Sequence, residues 1–162
     1  MFFHLCQWLF DSALGTSIRE STYVFPLIET LHVLAITVLV GTVAILDLRL
    51  WGAVLKGEKV TTVARQLLPL TWAGFALVLS SGVLLFIAEA AKLYSNPAFR
   101  LKLLFLVLVG LNPLVFHFTI YRSVDQWDEA VVTPARARLA GAVSLSLWAG
   151  IIVAGRAIAY FH

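Results

Sequence analysis

The sequence predicts an all-α membrane protein: an antiparallel four-transmembrane-helix bundle with a short N-terminal interfacial helix. Of the 162 residues, 60% are hydrophobic and 13% are charged, which is too apolar for a soluble domain of this length. Four uncharged runs each approach the ~20 residues that cross ~30 Å of hydrocarbon. They are residues 30–46, 67–88, 103–121 and 139–155. Because the runs lack the alternation of barrel strands, helices are the structure that pairs their backbone groups in lipid.

The N-terminal segment, residues about 2–14, is predicted to be the interfacial helix. No basic residue precedes its apolar part, and His4, Gln7 and Asp11 interrupt it, which fits a cleaved signal peptide poorly. Bulky apolar residues such as Phe3 and Trp8 can instead dip into the headgroup layer while the helix lies on the membrane.

The rest of a single membrane domain, residues 1–162, is predicted to be four spans joined by short connections, which make neighbouring spans antiparallel. The spans cover residues of about 22–51, 62–92, 97–122 and 136–160. Asn96 and Pro97 are typical of a helix start. In the last span, small residues recur every four positions and allow a neighbouring helix, from this chain or another copy, to approach closely. They are Ala142, Ser146, Gly150 and Ala154.

Basic residues are distributed unequally between the two ends of the predicted bundle. Seven lie near the end that carries the first and third connections, and five near the other end. The seven are Arg49, Lys56, Lys59, Arg65, Arg122, Arg136 and Arg138. The positive-inside rule therefore predicts that this end is cytoplasmic and that both termini lie outside. The net charge of +3 indicates no nucleic-acid partner, and the single Cys6 excludes an internal disulfide and a cysteine-based zinc site.

Ionisable residues inside predicted spans are the candidate functional residues, because they are costly in lipid. Glu29 and His32 are three residues apart and share a helix face. Two histidines on different spans, His32 and His117, are candidate metal ligands and suggest metal or haem ligation. The two histidines are predicted at different heights, so two separate sites, or one histidine per haem, are easier to build than one shared site.

The cofactor that this pattern suggests is haem b. Cations near the same end as His32, namely Lys92, Lys102 and Arg156, could pair with propionate carboxylates. Glu29 could accept a hydrogen bond from the second ring nitrogen of His32. The alternative for the cations is a collar of ion pairs that reach for the headgroups.

Two segments carry a resemblance to known proteins, "LHVLAITVLVGTVAILDLRL" and "LKLLFLVLVGLNPLVFH". With most of the remaining chain, they resemble a family of small bacterial four-span membrane proteins of unknown function. More distantly, they resemble haem-binding protoporphyrinogen-oxidase-type and CopD-type copper-resistance membrane proteins. The haem-binding likeness implies that His32 binds haem, and it matches Lys102 and His117 to a lysine and a late histidine. The resemblance implies a bacterial inner (plasma) membrane, in which the bias of basic residues would put both termini in the periplasm.

Three functions follow as hypotheses. The first is a membrane-embedded b-type haem protein for electron transfer or haem-linked redox chemistry, with a redox partner protein and the lipid bilayer as partners. The second is a proton or metal-ion carrier or channel-like subunit that uses Glu29, His32 and Glu89. The third is an assembly or partner subunit of a larger membrane complex, with a homo-oligomer left open. The residues do not decide whether the protein is an enzyme.

Overall fold

The computed structural model describes residues 2–161, and it confirms the all-α fold class, since these residues form helices and no strand. The helices are α1 (Phe2–Phe10), α2 (Ala13–Glu20), α3 (Val24–Trp51), α4 (Val60–Ser95), α5 (Pro97–Thr119) and α6 (Ala135–Ala157). Short 3₁₀ helices cover Tyr121–Gln126 and Ile158–Tyr160. Four helices, α3 to α6, are long and apolar enough to cross a membrane. The chain is thus a multi-pass membrane protein. We call the end with α1, α2 and Asn96 the turn end, and the end with residues 52–59 and 120–134 the loop end.

The N-terminal segment differs from the single helix predicted for residues 2–14. It forms two helices because Ser12 starts a new one: its Oγ accepts a hydrogen bond from the Gly15 N–H at 3.1 Å. Both helices pack on α4. Arg19 of α2 donates to the carbonyl of Ala88 at 3.0 Å, next to Glu89, where the backbone of α4 leaves helical geometry. The N-terminal pair of helices therefore braces the irregular point of α4.

The helix α3 lies between α4 and α6, and α6 lies between α3 and α5. Glycines allow the backbones of these neighbours to approach. A Cβ on Gly74 of α4 would lie 3.1 Å from the backbone N of Leu39 in α3, and a Cβ on Gly141 of α6 would lie 2.8 Å from the carbonyl oxygen of Asp47. The central helix α3 thus contacts α4 near the middle of the membrane and α6 near the loop end.

The helix α5 packs on α6 instead of on α4, its predecessor in the chain. The Phe105 ring lies over Gly150 of α6, where a Cβ would be 2.8 Å from the ring, and Asn112 donates to the carbonyl of Ala140 at 3.1 Å. At Gly150, the partner of the small-residue face predicted in the last span is therefore α5 of the same chain. At the turn end, Phe86 of α4 stacks on Phe99 of α5, with ring centroids 5.7 Å apart.

The helix α5 begins at the residues that the sequence predicts. Asn96 caps α5 by accepting a hydrogen bond from the Phe99 N–H at 3.2 Å, and Pro97 is the first residue of the helix. The amide nitrogen of Asn96 also donates to the carbonyls of Ile158 and Phe161 at 3.0 and 2.7 Å. The C-terminal residues are thereby fixed to the turn end.

A fully buried arginine organises the loop end. The side chain of Arg49 is 0% exposed, and its Nε and Nη2 donate to the carbonyl of Glu58 at 2.9 and 2.7 Å. Its Nη2 also reaches the carbonyl of Ala130 at 3.4 Å. Since Glu58 and Ala130 lie on different loops, Arg49 ties both loops to the end of α3. The buried hydrophobic cluster of this end, which includes Leu50 and Trp127, packs beside it.

The start of α4 is capped by a residue from the other loop. Asp128 accepts hydrogen bonds from the N–H and the hydroxyl of Thr61 at 2.8 and 2.6 Å. Partial burial alone would raise the pKa of Asp128, but the hydrogen bonds from Thr61 and the charge of Lys59 bring this pKa below its ordinary value. Next to it, the ion pair with Glu129 at 2.7 Å raises the pKa of Lys59.

The contact of Gly141 with α3 provides a first test of this packing. In Gly141→Ala, the new methyl group meets the Asp47 carbonyl, so α3 and α6 must separate, and we expect a loss of about 1–3 kcal/mol in the free energy of unfolding. The matched control is Gly110→Ala, where a Cβ meets nothing within 4 Å. This control should be neutral or slightly stabilising. Thermal unfolding followed by circular dichroism in detergent compares them, and equal melting temperatures for the two variants would contradict the packing.

The Asp128 cap predicts a pH dependence. Asp128→Ala should lower the free energy of unfolding at neutral pH by about 0.5–2 kcal/mol, the usual cost of losing a helix cap. The lowered pKa means that the carboxylate stabilises the fold fully above its unfolded pKa of about 3.9, and that this stabilisation is lost as the pH falls through the folded pKa. The difference between variant and wild type should therefore shrink in acid below about pH 4.

The control for this prediction is Asp125→Ala, because Asp125 is exposed and makes no hydrogen bond or ion pair with the rest of residues 2–161. Unfolding curves of the three proteins at several pH values make the comparison. A difference between Asp128→Ala and wild type that stays constant from neutral pH down to pH ~3 would show that the charge of Asp128 does not contribute.

Candidate functional site

The imidazole of His32 is held by a serine of the neighbouring helix. Nδ1 of His32 lies 2.8 Å from Oγ of Ser81 on α4. The Ser81 hydroxyl donates to the carbonyl of Leu77, one turn earlier in α4, at 2.5 Å. A hydroxyl has one proton to donate. With that proton on the Leu77 carbonyl, Ser81 accepts from His32, and Nδ1 carries the imidazole proton. Ser81 is the one side chain that bonds to His32 in the described part of the chain, and the backbone of Val78 is a further partner of the ring.

Glycines make room for the two nitrogen bases of this site. The His32 ring packs on Gly82 of α4, where a Cβ would lie 3.1 Å from Cε1. Lys102 of α5 packs on Gly155 of α6, where a Cβ would lie 3.7 Å from Nζ. Both His32 and Lys102 lie about 8–12 Å from the start of their parallel helices. The four spans thus each place a residue of this group at a similar height near the turn end.

Lys102 has no acidic partner in this structure. Its side chain is half-buried within a membrane-spanning helix, and it forms no ion pair with any of residues 2–161. A charged amine in such a place is costly unless it is paired. No carboxylate pairs with His32 or Lys102. Such a site suits a ligand that brings a metal ion for the imidazole or a negative charge for the amine.

The other predicted site residues of the turn end lie around this site. Glu29 is exposed, and Ser81 rather than Glu29 bonds to the ring of His32. Lys92 pairs with Glu89 at 2.7 Å, as in the alternative of an interfacial ion-pair collar. Arg156 is exposed and lies over the ring of Tyr160, 5.5 Å from its centroid.

His117 lies elsewhere. It is exposed near the loop end of α5, where its ring stacks on Tyr121 with centroids 5.5 Å apart. Counted along the parallel helices α3 and α5, it lies about 18 Å deeper than His32. The structure therefore does not bring the two histidines together, in agreement with the difference in height that the sequence predicts. His4 is exposed on α1, and His162 lies outside the described residues.

Polar side chains inside the bundle fall into two separate layers. Thr42 and Thr71 bond to each other at 2.9 Å nearer the loop end, and buried Asp47 lies against Ser144 there. Between this layer and His32, the buried positions of α3 are the apolar Ala35 and Leu39. Within residues 2–161, no three His, Cys, Asp or Glu side chains are grouped to hold a metal ion, so Glu29, His32 and Glu89 do not form one cluster.

The residues that sequence reasoning missed are Ser81, Gly82 and Gly155. The sequence pattern around these residues is weakly informative. The stretch "LSSGV" places two hydroxyls and a glycine in the second span, and Gly155 precedes Arg156. Hydroxyls and glycines are common in membrane helices, so their importance becomes visible only when α3, α4 and α5 are placed side by side.

The comparison with protein families gives one match. The model described as "Family of unknown function (DUF6644)" matches residues 5–161, a range that includes every side chain of the site. None of the curated proteins matches the chain, and none of the solved structures does. These comparisons support the small membrane family and provide no support for the haem-binding or CopD-type likeness.

Proposed function

The chain belongs to a family of unknown function (DUF6644), and from its own residues we propose that it is a membrane-embedded b-type haem protein for electron transfer or haem-linked redox chemistry. In this proposal, Nε2 of His32 would ligate the haem iron. A haem brings four porphyrin nitrogens of its own, so one or two protein side chains are enough to ligate its iron.

The observation that carries the proposal is the hydrogen-bond chain from His32 to Ser81 to the Leu77 carbonyl. Histidines that bind metals nearly always donate their second ring N–H to a partner that fixes the tautomer and orients the ring. His32 has such a partner, and the partner lies on another helix, so the ring cannot turn freely. Its free nitrogen is the one with the lone pair that a metal needs.

The residues beside His32 also suit a porphyrin. Gly82 lets the imidazole pack closely on α4, and the Lys102 side chain packs on Gly155 of α6. Lys102 would pair with a propionate carboxylate or offer Nζ as a second ligand. Arg156 is a further cation for the propionates, whereas Lys92 already pairs with Glu89.

When bound, haem supplies one-electron redox chemistry. The chain's own contribution would be to bind and orient: Ser81 of α4 bonds to Nδ1 of His32 and fixes the direction of the ring from a second helix.

The location and partners belong to the same proposal. The seven basic residues near the loop end against five near the turn end favour a cytoplasmic loop end. The protein then lies in a bacterial inner (plasma) membrane with both termini in the periplasm, and the haem site lies in the periplasmic half. A redox partner protein would reach it from that side. The carrier and assembly-subunit hypotheses stay predictions, with no contact in the structure that favours either.

Replacing the ligand tests the proposal directly. Protein expressed in haem-replete cells should show a Soret band and, after dithionite, sharp α and β bands, and His32→Ala should lose at least nine tenths of its haem by the pyridine haemochrome assay. His117→Ala, at the other end of the bundle, should keep its haem. Equal haem in wild type and His32→Ala, at equal yield of folded protein, would rule out His32 as the ligand. Loss of haem only in His117→Ala would move the site to the loop end.

A second variant tests the role of Ser81. Ser81→Ala leaves the Nδ1–H of His32 without its acceptor, so haem affinity should fall by roughly 10–100-fold, the usual effect of removing such a partner. Ser146→Ala is the matched control, since that hydroxyl is exposed on α6 and bonds only to the Ala142 carbonyl of its own helix. Titration of the apoproteins with haemin compares the affinities, and equal values for both variants would show that Ser81 does not support the ligand.

A further inference from the structure

The carboxyl group of Asp47 is buried where α3 meets α6. The residue is 6% exposed, and its Oδ2 has no hydrogen-bond partner among residues 2–161. Gly141 of α6 packs on the Asp47 carbonyl, and Ser144, one turn further along α6, lies against the carboxyl group. Within the same range, Asp47 forms no ion pair. A carboxylate in this place would carry an uncompensated charge, which is costly away from water.

The charged side chains at the loop end do not compensate Asp47. Arg49 is two residues further along α3, which is about 200° around the helix. Its Nε and Nη2 donate to carbonyls of the two loops, and no ion pair joins it to Asp47. The other charged or titratable side chains of the spans at this end are exposed, namely Arg65, His117, Arg136 and Arg138.

The hydroxyl of Ser144 is not used by its own helix. Ser146, two residues later in α6, donates to the carbonyl one turn earlier, as hydroxyls in helices commonly do. Within residues 2–161, Ser144 makes no such bond, and the carbonyl one turn before it, that of Ala140, accepts from Asn112 of α5 at 3.1 Å. The buried Ser144 hydroxyl is therefore free to interact with Asp47.

A proton is the cation that fits this site. A hard metal ion such as Mg²⁺ or Ca²⁺ takes about six or more oxygen ligands, whereas the side chains here offer one free carboxylate oxygen beside one hydroxyl. A proton needs a single lone pair, and the resulting carboxylic acid has an O–H to donate. The neutral acid also removes the charge that burial makes costly.

We propose that Asp47 is a proton-binding site whose proton keeps the contact between α3 and α6 closed. At neutral pH the side chain is a carboxylic acid. One turn nearer the loop end, the buried residues Leu50 of α3 and Ala137 of α6 lie between it and the water at that end. When the O–H bond breaks, the carboxylate keeps the electron pair and the proton goes to water. Water must then enter between α3 and α6 to solvate the charge.

Infrared spectroscopy of the full-length protein in detergent tests the proton directly, because a carboxylic acid has a C=O band distinct from the bands of a carboxylate and of amides. Wild type should show such a band at neutral pH. Asp47→Asn, whose side chain is neutral and has nearly the same shape, should lose it. The matched control is Asp125→Asn, which removes an exposed carboxylate and should keep the band.

A second pair of variants assigns the band even if Asp47→Asn does not fold. Ser144→Ala removes the hydroxyl beside the acid, so the band should persist at a shifted frequency. Ser146→Ala removes an exposed hydroxyl of the same helix and should leave the band unchanged. An acid band that neither Asp47→Asn nor Ser144→Ala alters would belong to another carboxyl group and would overturn the proposal.

Amide hydrogen exchange tests the opening of the contact. At the higher pH where the wild-type band has disappeared, residues 137–148 of α6 should exchange roughly tenfold faster in wild type than in Asp47→Asn, which cannot ionise. At the lower pH where the band persists, the two proteins should exchange equally. The exchange of these residues relative to α5 of the same protein, compared at the two pH values, gives the result without the variant. Equal exchange at both pH values overturns control of the contact by the proton.

The absence of the band also has a defined meaning. A wild type without it at neutral pH overturns the proton site. If sodium or calcium ions then raise the melting temperature of wild type and not of Asp47→Asn, the site binds a metal cation. If neither ion does so, Asp47 is an ionised carboxylate with water beside it. None of these outcomes depends on the haem content of His32→Ala, which decides the proposed function separately.

Discussion

The close approach of α3 to its two neighbours is the constraint on which the rest of the structure depends. Gly74 lets α4 lie against the backbone of Leu39, and Gly141 lets α6 lie against that of Asp47. In lipid, where burial of apolar surface gives helices little reason to associate, such contacts and interhelical hydrogen bonds provide the attraction. Once α3 is fixed between α4 and α6, the face that carries His32 has one position available, and this position is opposite Ser81.

The two ends of the bundle are built differently as a consequence. At the loop end, the buried guanidinium of Arg49 connects two loops to α3, and a hydrophobic cluster closes over it. At the turn end, α5 packs along α6. It touches α4 mainly near the stacked pair of Phe86 and Phe99. The loop end therefore ties its helices together through buried contacts, while the turn end keeps the half-buried polar side chains of His32 and Lys102.

Much of this fold follows from the sequence, because hydropathy and length identify the spans and Asn96 with Pro97 marks the α5 start. The helix order does not follow, since it depends on which glycine faces which backbone. The partner of His32 illustrates the limit. Spacing of three residues puts Glu29 on the same face of α3, yet the bonded residue is Ser81, 49 positions away. Only the rotation of α3 against α4 decides between them, and no local pattern encodes that rotation.

The state of the candidate ligand is determined by the backbone of α4. Serine and threonine hydroxyls in these spans mostly donate to the carbonyl one turn earlier, as Ser80, Thr37 and Ser146 do, and so satisfy their protons within one helix. Ser81 does the same and is left with an acceptor that points at a neighbour. That neighbour is the imidazole of His32. The bond that Ser81 makes within its own helix therefore influences which ring nitrogen of His32 carries the proton. The position of a proton on α3 thus depends on a carbonyl of Leu77, which belongs to a different helix and never touches a ligand.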